Sequence, residues 1–142
     1  MNTKHTFVTL VACMDGRQIK QLIEFVEWLF SYSTTAVDTI TGRGRIVRVQ
    51  DDYKVTNMLL YNDCIEDINV SVENHASRGI AIAAHDECAG NPTEAQRQHT
   101  ELCAAVEILR ELYPDIPVVG IWVPSDTWRP EVLIMDDRVP AK

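Results

Sequence analysis

The sequence predicts an α/β fold: one domain over residues 1–142, with a mostly parallel β-sheet flanked by helices. Three observations point there. The apolar runs Phe7–Ala12 and Ile80–Ala84 show no alternation, the mark of strands buried on both faces. Between them, Ile19, Leu22, Ile23, Val26, Leu29 and Phe30 recur at the spacing of one helix face. Strand-like and helix-like stretches then alternate along the chain, as in successive βαβ units.

Each element can be justified in order. Residues 6–12 form the first strand, and the chain turns at Asp15-Gly16 into a helix of roughly 17–31. Gln18, Lys20, Gln21, Glu24 and Glu27 cover its solvent side. Residues 31–44, rich in Ser, Thr and Gly, are a connection with room for a short strand at 36–40. Thr41-Gly42-Arg43-Gly44 reads as a loop, with Gly42-Arg43-Gly44-Arg45 a solvated turn rather than an anion cradle because it lacks the strand-to-helix context of a phosphate loop, and Arg45-Ile46-Val47-Arg48-Val49 alternates like a half-buried strand. Asp51 or Asp52 caps a helix carrying Val55, Met58, Leu59 and Ile65. A second helical piece over about 66–77 stops near Gly79. Residues 80–84 are the next buried strand, and Thr93 caps a helix of about 94–112 that Pro114 ends. Ile116–Val123 is a third buried strand, 124–130 a loop, and Glu131–Met135 a final edge strand.

Composition narrows the function. A formal charge of −8 argues against a nucleic-acid partner and against an anionic membrane surface, both of which require concentrated Lys and Arg. No apolar stretch reaches the length of a membrane span, because Glu24 and Glu27 interrupt the longest candidate. Met1–His5 leads straight into a strand without a signal-peptide core, so a cytoplasmic location is expected. The four cysteines, 13, 64, 88 and 103, read as reduced thiols with metal or core roles.

Two short stretches carry the chemistry. Cys13-Met14-Asp15-Gly16-Arg17 follows the first buried strand, and His85-Asp86-Glu87-Cys88 follows another. Both therefore lie at the C-terminal edge of the sheet, where ligands bind in open α/β folds. Cys13, His85 and Cys88 supply two thiolates and an imidazole, a Zn²⁺ set that leaves a fourth position open for water. The reading is a zinc hydrolase or lyase acting on a very small substrate.

Cys-x-Asp-x-Arg followed some seventy residues later by His-x-x-Cys resembles the β-class carbonic anhydrases. Ser71-Val72-Glu73-Asn74 is similar to that family's Ser-Leu-Glu-Tyr helix start, and Val118–Trp122 to its following strand. The chain departs from the pattern at Gly16, Ala84 and Ala89, and Arg48-Val49-Gln50-Asp51 stands in place of Arg-Asn-Ala-Gly-Asn. It resembles a compact or divergent member.

The resemblance implies reversible hydration of CO₂ to bicarbonate by a zinc-bound hydroxide, in a homodimer or larger even homo-oligomer. It implies that Asp15 orients the hydroxide and that Arg17 holds Asp15 ionised. Carbonyl sulfide or carbon disulfide hydrolysis at the same centre is the runner-up. A non-catalytic zinc module and a metal-free thiol redox protein are readings of other classes. A small neutral substrate is indifferent to the acidic surface.

Other groups read as structural. His99 and Cys103 are a half-exposed His and a core Cys, and Cys64 is buried packing. Trp122, Trp128 and Tyr32 line an apolar pocket or a subunit contact, or else pack in the core. Asp86 and Glu87 are either supports for the ligands or exposed.

Overall fold

The structure, a computed structural model, describes residues 4–140. The sequence reading of residues 1–3 lies outside them. One sheet of five strands runs in the order β2-β1-β3-β4-β5, with β1 (Thr6–Cys13), β2 (Thr35–Gly42), β3 (Ile80–His85) and β4 (Val118–Val123) parallel. Strand β5 (Glu131–Ile134) closes one edge antiparallel to β4. All residues of β3 and β4 are buried, as their unbroken apolar runs predict.

The order contains one reversal. From β1 the chain crosses to β2 on one side, then returns past β1 to β3 on the other. Ligand sites in such sheets lie at the C-terminal ends of the strands flanking that reversal, here β1 and β3. The helices divide accordingly. Helix α1 (Ile19–Phe30) packs Leu22, Val26, Leu29 and Phe30 onto Val8, Leu10, Ala81 and Val119. The opposite face is covered by α2 (Arg45–Arg48), α4 (Met58–Asn69) and α5 (Ala95–Leu112), whose Ile46, Ile68, Leu102 and Leu109 meet Val11, Ile80 and Ile82.

Several local expectations change. The short strand at 36–40 is a full edge strand of eight residues, because every residue of β1 finds a partner in β2. Residues 45–49 are not a strand but the helical turn α2. The slot beside β1 that a strand there would fill is already taken by β2. Gly44, with φ of 52°, turns the chain away, and Ile46 and Val49, three apart, share one buried face. The helix expected over 55–65 is two pieces, α3 (Asp51–Thr56) and α4, broken at Asn57. Beyond α4 the chain does not make a further helix to residue 77. It forms a π-helical turn, Val70–Asn74.

That turn is tied to the sheet by hydroxyls. Ser71 Oγ lies 2.6 Å from Thr9 Oγ1 and donates to Asp38 Oδ2 at 2.7 Å. Thr9 also bonds Ser77 Oγ, which donates to the Gly79 carbonyl, and His75 Nδ1 meets Asp38 Oδ2 at 2.7 Å. The connection back into β3 is thereby fixed in register.

Candidate metal centre

Cys13 is the last residue of β1 and His85 the last of β3, two neighbouring parallel strands. Cys88 returns three residues after His85 through a tight turn in which Glu87 has φ of 56°. The turn therefore brings Cys88 back onto the end of β1. Cys13 Sγ and Cys88 Sγ stand 3.8 Å apart, and both cysteines are free. The two sulfurs and a His85 ring nitrogen lie within 4.8 Å of one another, all on buried residues.

The donor set fits a zinc ion. Thiolates bonded to one tetrahedral zinc at about 2.3 Å stand about 3.8 Å apart, the separation found here. His85 Nδ1 donates to the Asp86 carbonyl at 2.6 Å, which leaves Nε2 as the lone-pair nitrogen. That Nε2 is buried and has no hydrogen-bond partner. A buried polar atom without a partner is costly unless something else binds it.

Backbone amides support the sulfurs. Gly44 N–H and Asp15 N–H point to Cys13, and Gly90 and Asn91 N–H to Cys88. The Cys88 thiol shares its proton with Cys13, which pushes Cys13 down and Cys88 up. Burial works against a charged His85, but the Cys13 sulfur, the Asp86 carbonyl and the Asp15 carboxylate together prevail and the imidazole is shifted up. Gly42–Arg45 is thus not simply a solvated turn, although Arg43 is exposed. Gly44 is buried, and a Cβ there would stand 2.6 Å from the Gly90 carbonyl oxygen, so the two sulfur-bearing loops lie backbone to backbone.

Asp15 and Arg17 flank this triad. Asp15 Oδ2 lies 3.9 Å from His85 Nε2. Arg17 donates to the Asp15 carboxylate through Nη2 at 2.6 Å and Nε at 3.0 Å, and its backbone N–H adds a third bond at 2.9 Å. These bonds hold the Asp15 carboxyl down at about 2, so it is ionised at neutral pH. Arg17 also reaches Glu87, donating Nη1 to Oε1 at 3.1 Å and Nη2 to the carbonyl at 3.1 Å. One guanidinium therefore clamps both ligand loops. Asp86 turns outward, its Oδ2 accepting from Ser125 N–H at 3.1 Å.

The remaining candidates fall outside the centre. Cys64 is fully buried, as expected, whereas Cys103 is exposed on α5 rather than in the core. His99 stacks edge-on against the buried Trp122 at 4.3 Å. Tyr32 is half-buried beneath Arg78, and Trp128 is half-buried near His85. An open cleft lined by Asp38, Thr41, Asp67 and His75 lies along β2 and contains no thiol. Sequence reading missed the Gly44 amide and the Gly44–Gly90 contact, whose one signal was a glycine in each loop.

A family model described as "Putative carbonic anhydrase" matches residues 3–134. No curated protein sequence matches the chain. Among solved structures, the β-carbonic anhydrase CafD of Aspergillus fumigatus superposes with a TM-score of 0.59 at 15% identity, covering 91% of this chain and 90% of that one. A carbonic anhydrase from Streptococcus mutans gives 0.57 at 17% identity, covering 89% and 80%. A carbon disulfide hydrolase gives 0.52 at 12% identity, covering 87% and 76%. At these identities the likeness shows a shared fold, and the family model, which spans nearly the whole chain, shows the family. The chain belongs to the carbonic anhydrase family and carries the β-class fold.

Proposed function

We propose that this chain, acting as one domain, is a zinc-dependent lyase that hydrates CO₂ reversibly to bicarbonate. The observation that carries the reading is the buried, unpartnered His85 Nε2 facing two thiols 3.8 Å apart, with a held carboxylate beside it. Cys13, His85 and Cys88 would hold the ion. Zinc supplies Lewis acidity that lowers the pKa of a water to about 7.

The chain's own residues do the rest. Asp15 Oδ2, ionised and fixed, accepts a hydrogen bond from the reacting water and so sets which lone pair faces carbon. Arg17 prevents Asp15 from rotating away, through a bidentate pair in place before substrate arrives. His85 stays in one tautomer because Nδ1–H is committed to the Asp86 carbonyl. CO₂ is neutral and requires no cationic anchor, in keeping with an acidic chain in which the Arg17 guanidinium is committed to the Asp15 and Glu87 carboxylates.

Stopped-flow CO₂ hydration by zinc-loaded protein tests this, with Cys13→Ser as control. Turnover well above the control supports the enzyme, and equal rates favour a non-catalytic zinc module. Carbon disulfide, a neutral linear molecule of the same class, is the second reading; one solved structure of this fold is described as a carbon disulfide hydrolase. Assaying it in parallel ranks the two. A homo-oligomer and a cytoplasmic location complete the proposal. Tetrameric β-carbonic anhydrases from Sordaria macrospora share the fold, and among the described residues no helix is long and apolar enough to cross a membrane.

A further inference from the structure

The loop between β4 and β5 brings an aromatic side chain to the metal centre that the ligand motifs do not announce. Trp128 has φ of 53°, a left-handed conformation unusual for a bulky residue, so its placement is held by its surroundings. Three ties hold it. Its own N–H bonds the Pro124 carbonyl at 2.8 Å. Gln21 Nε2 donates to the Trp128 carbonyl at 3.2 Å, linking the loop to α1. Ser125 N–H and Oγ bond Asp86 Oδ2, the residue whose carbonyl fixes the His85 tautomer.

The result is a stacked arrangement. The Arg17 guanidinium lies 4.5 Å from the centre of the Trp128 ring, and the His85 ring lies 6.0 Å from it on a tilted plane. Arg17 is otherwise 47% exposed in its side chain. A half-exposed Arg has many rotamers, and its bonds to Asp15 and Glu87 each compete with water. A flat π-face under the guanidinium removes water from one side and restricts the plane in which the fork can lie.

We propose that Trp128 is a positioning residue for the Arg17–Asp15 pair: its indole is the platform that keeps the guanidinium fork aimed at the carboxylate beside His85. The catalytic part of this role rests on the proposed CO₂ hydration, whereas the platform itself does not. Trp128 also packs against the core cluster around α1, so a purely structural role would show only as lost stability.

The test compares Trp128→Leu with Trp128→Phe. Leucine keeps apolar bulk without a π-face, and phenylalanine keeps the face. The Arg17 Nε–H resonance is the direct readout, because Nε donates to Asp15 and sits in the ring current of the indole. In Trp128→Phe the resonance stays protected from exchange, and kcat/KM for CO₂ is near that of the parent. In Trp128→Leu it exchanges fast, and kcat falls about two- to five-fold, the size of one partly exposed cation–π contact, with KM and zinc content unchanged. An Arg17 resonance equally protected in both variants overturns the proposal. If neither the parent nor Trp128→Phe hydrates CO₂, yet the resonance behaves as described, the platform stands and the assigned reaction fails. Should Trp128→Leu not fold, Arg17→Lys supplies a second arm. The Trp128 indole N–H resonance, assigned by its loss in Trp128→Phe, must then shift on Arg17→Lys, and an unchanged resonance contradicts the stack.

Discussion

The candidate metal centre at the C-terminal edge of the sheet and the hydroxyl cluster at its middle are both built on β1, yet they treat polar atoms in opposite ways. Around Thr9, every side chain points to a partner: Ser71, Ser77, Asp38 and His75 all bond one another or the backbone. Four residues along the same strand, Cys13 faces a second free thiol and an imidazole nitrogen with no partner. A saturated cluster fixes register. An unsaturated one, held open by Arg17, Asp86 and the stacked glycine loops, has donor capacity left for a ligand.

The sharpest way to break that contrast is His85→Ala. It removes Nε2, which the fold does not itself use, so zinc affinity should fall by about a thousand-fold or more, while the apo-protein stays folded and loses about 1–3 kcal/mol for the Nδ1–Asp86 bond and the buried ring. Isothermal titration and thermal melting read the two halves. If the apo-protein collapses instead, His85 is a structural residue like Thr9.

Asp136 extends the saturated class and adds a pH signature. Burial opposes its charge, but bonds from Arg138 and from Val118 N–H prevail and bring it from 3.8 down to about 2. Because the folded value is depressed, its contribution is complete above about pH 4 and fades as pH falls toward 2. The shift corresponds to about 2 kcal/mol at pH 7. Denaturant titrations of Asp136→Asn should show that loss at neutral pH and a flatter acid limb between pH 4 and 2.

Gly90→Ala probes the boundary between the classes. Its Cβ would stand 2.6 Å from Gly44 N, the amide that serves Cys13. Forcing the loops apart should weaken zinc binding about ten-fold with the fold retained, as changes around ligands typically do. Unchanged affinity would separate loop packing from the centre. Thr9→Val, the converse of His85→Ala, should cost about 1 kcal/mol of stability and leave zinc affinity untouched.

How much of this was legible beforehand follows from what each residue type encodes. The buried parallel strands declare themselves as unbroken apolar runs, and Cys13 and the His85/Cys88 pair as ligand types at strand ends. Residues 45–49 misled because Ile46 and Val49 fit a strand's alternation loosely and a helical turn's spacing equally well. Only the tertiary fact that β2 already occupies the edge beside β1 decides between them. The Thr9 cluster and the contact of Trp128 with Arg17 were hidden for another reason. Hydroxyls and a lone indole carry no spacing signature, and their partners lie tens of residues away. Cys103 was placed in the core by the average behaviour of cysteine, but its position on α5 turns it to solvent.

Cobalt(II) substitution followed by absorption spectroscopy reads whether Cys13, His85 and Cys88 close on one ion. One cobalt per chain is expected, with a tetrahedral spectrum and a thiolate charge-transfer band from two sulfurs that halves in Cys13→Ser and in Cys88→Ser alike. A spectrum without a thiolate band, or one that either substitution leaves at full intensity, would contradict it.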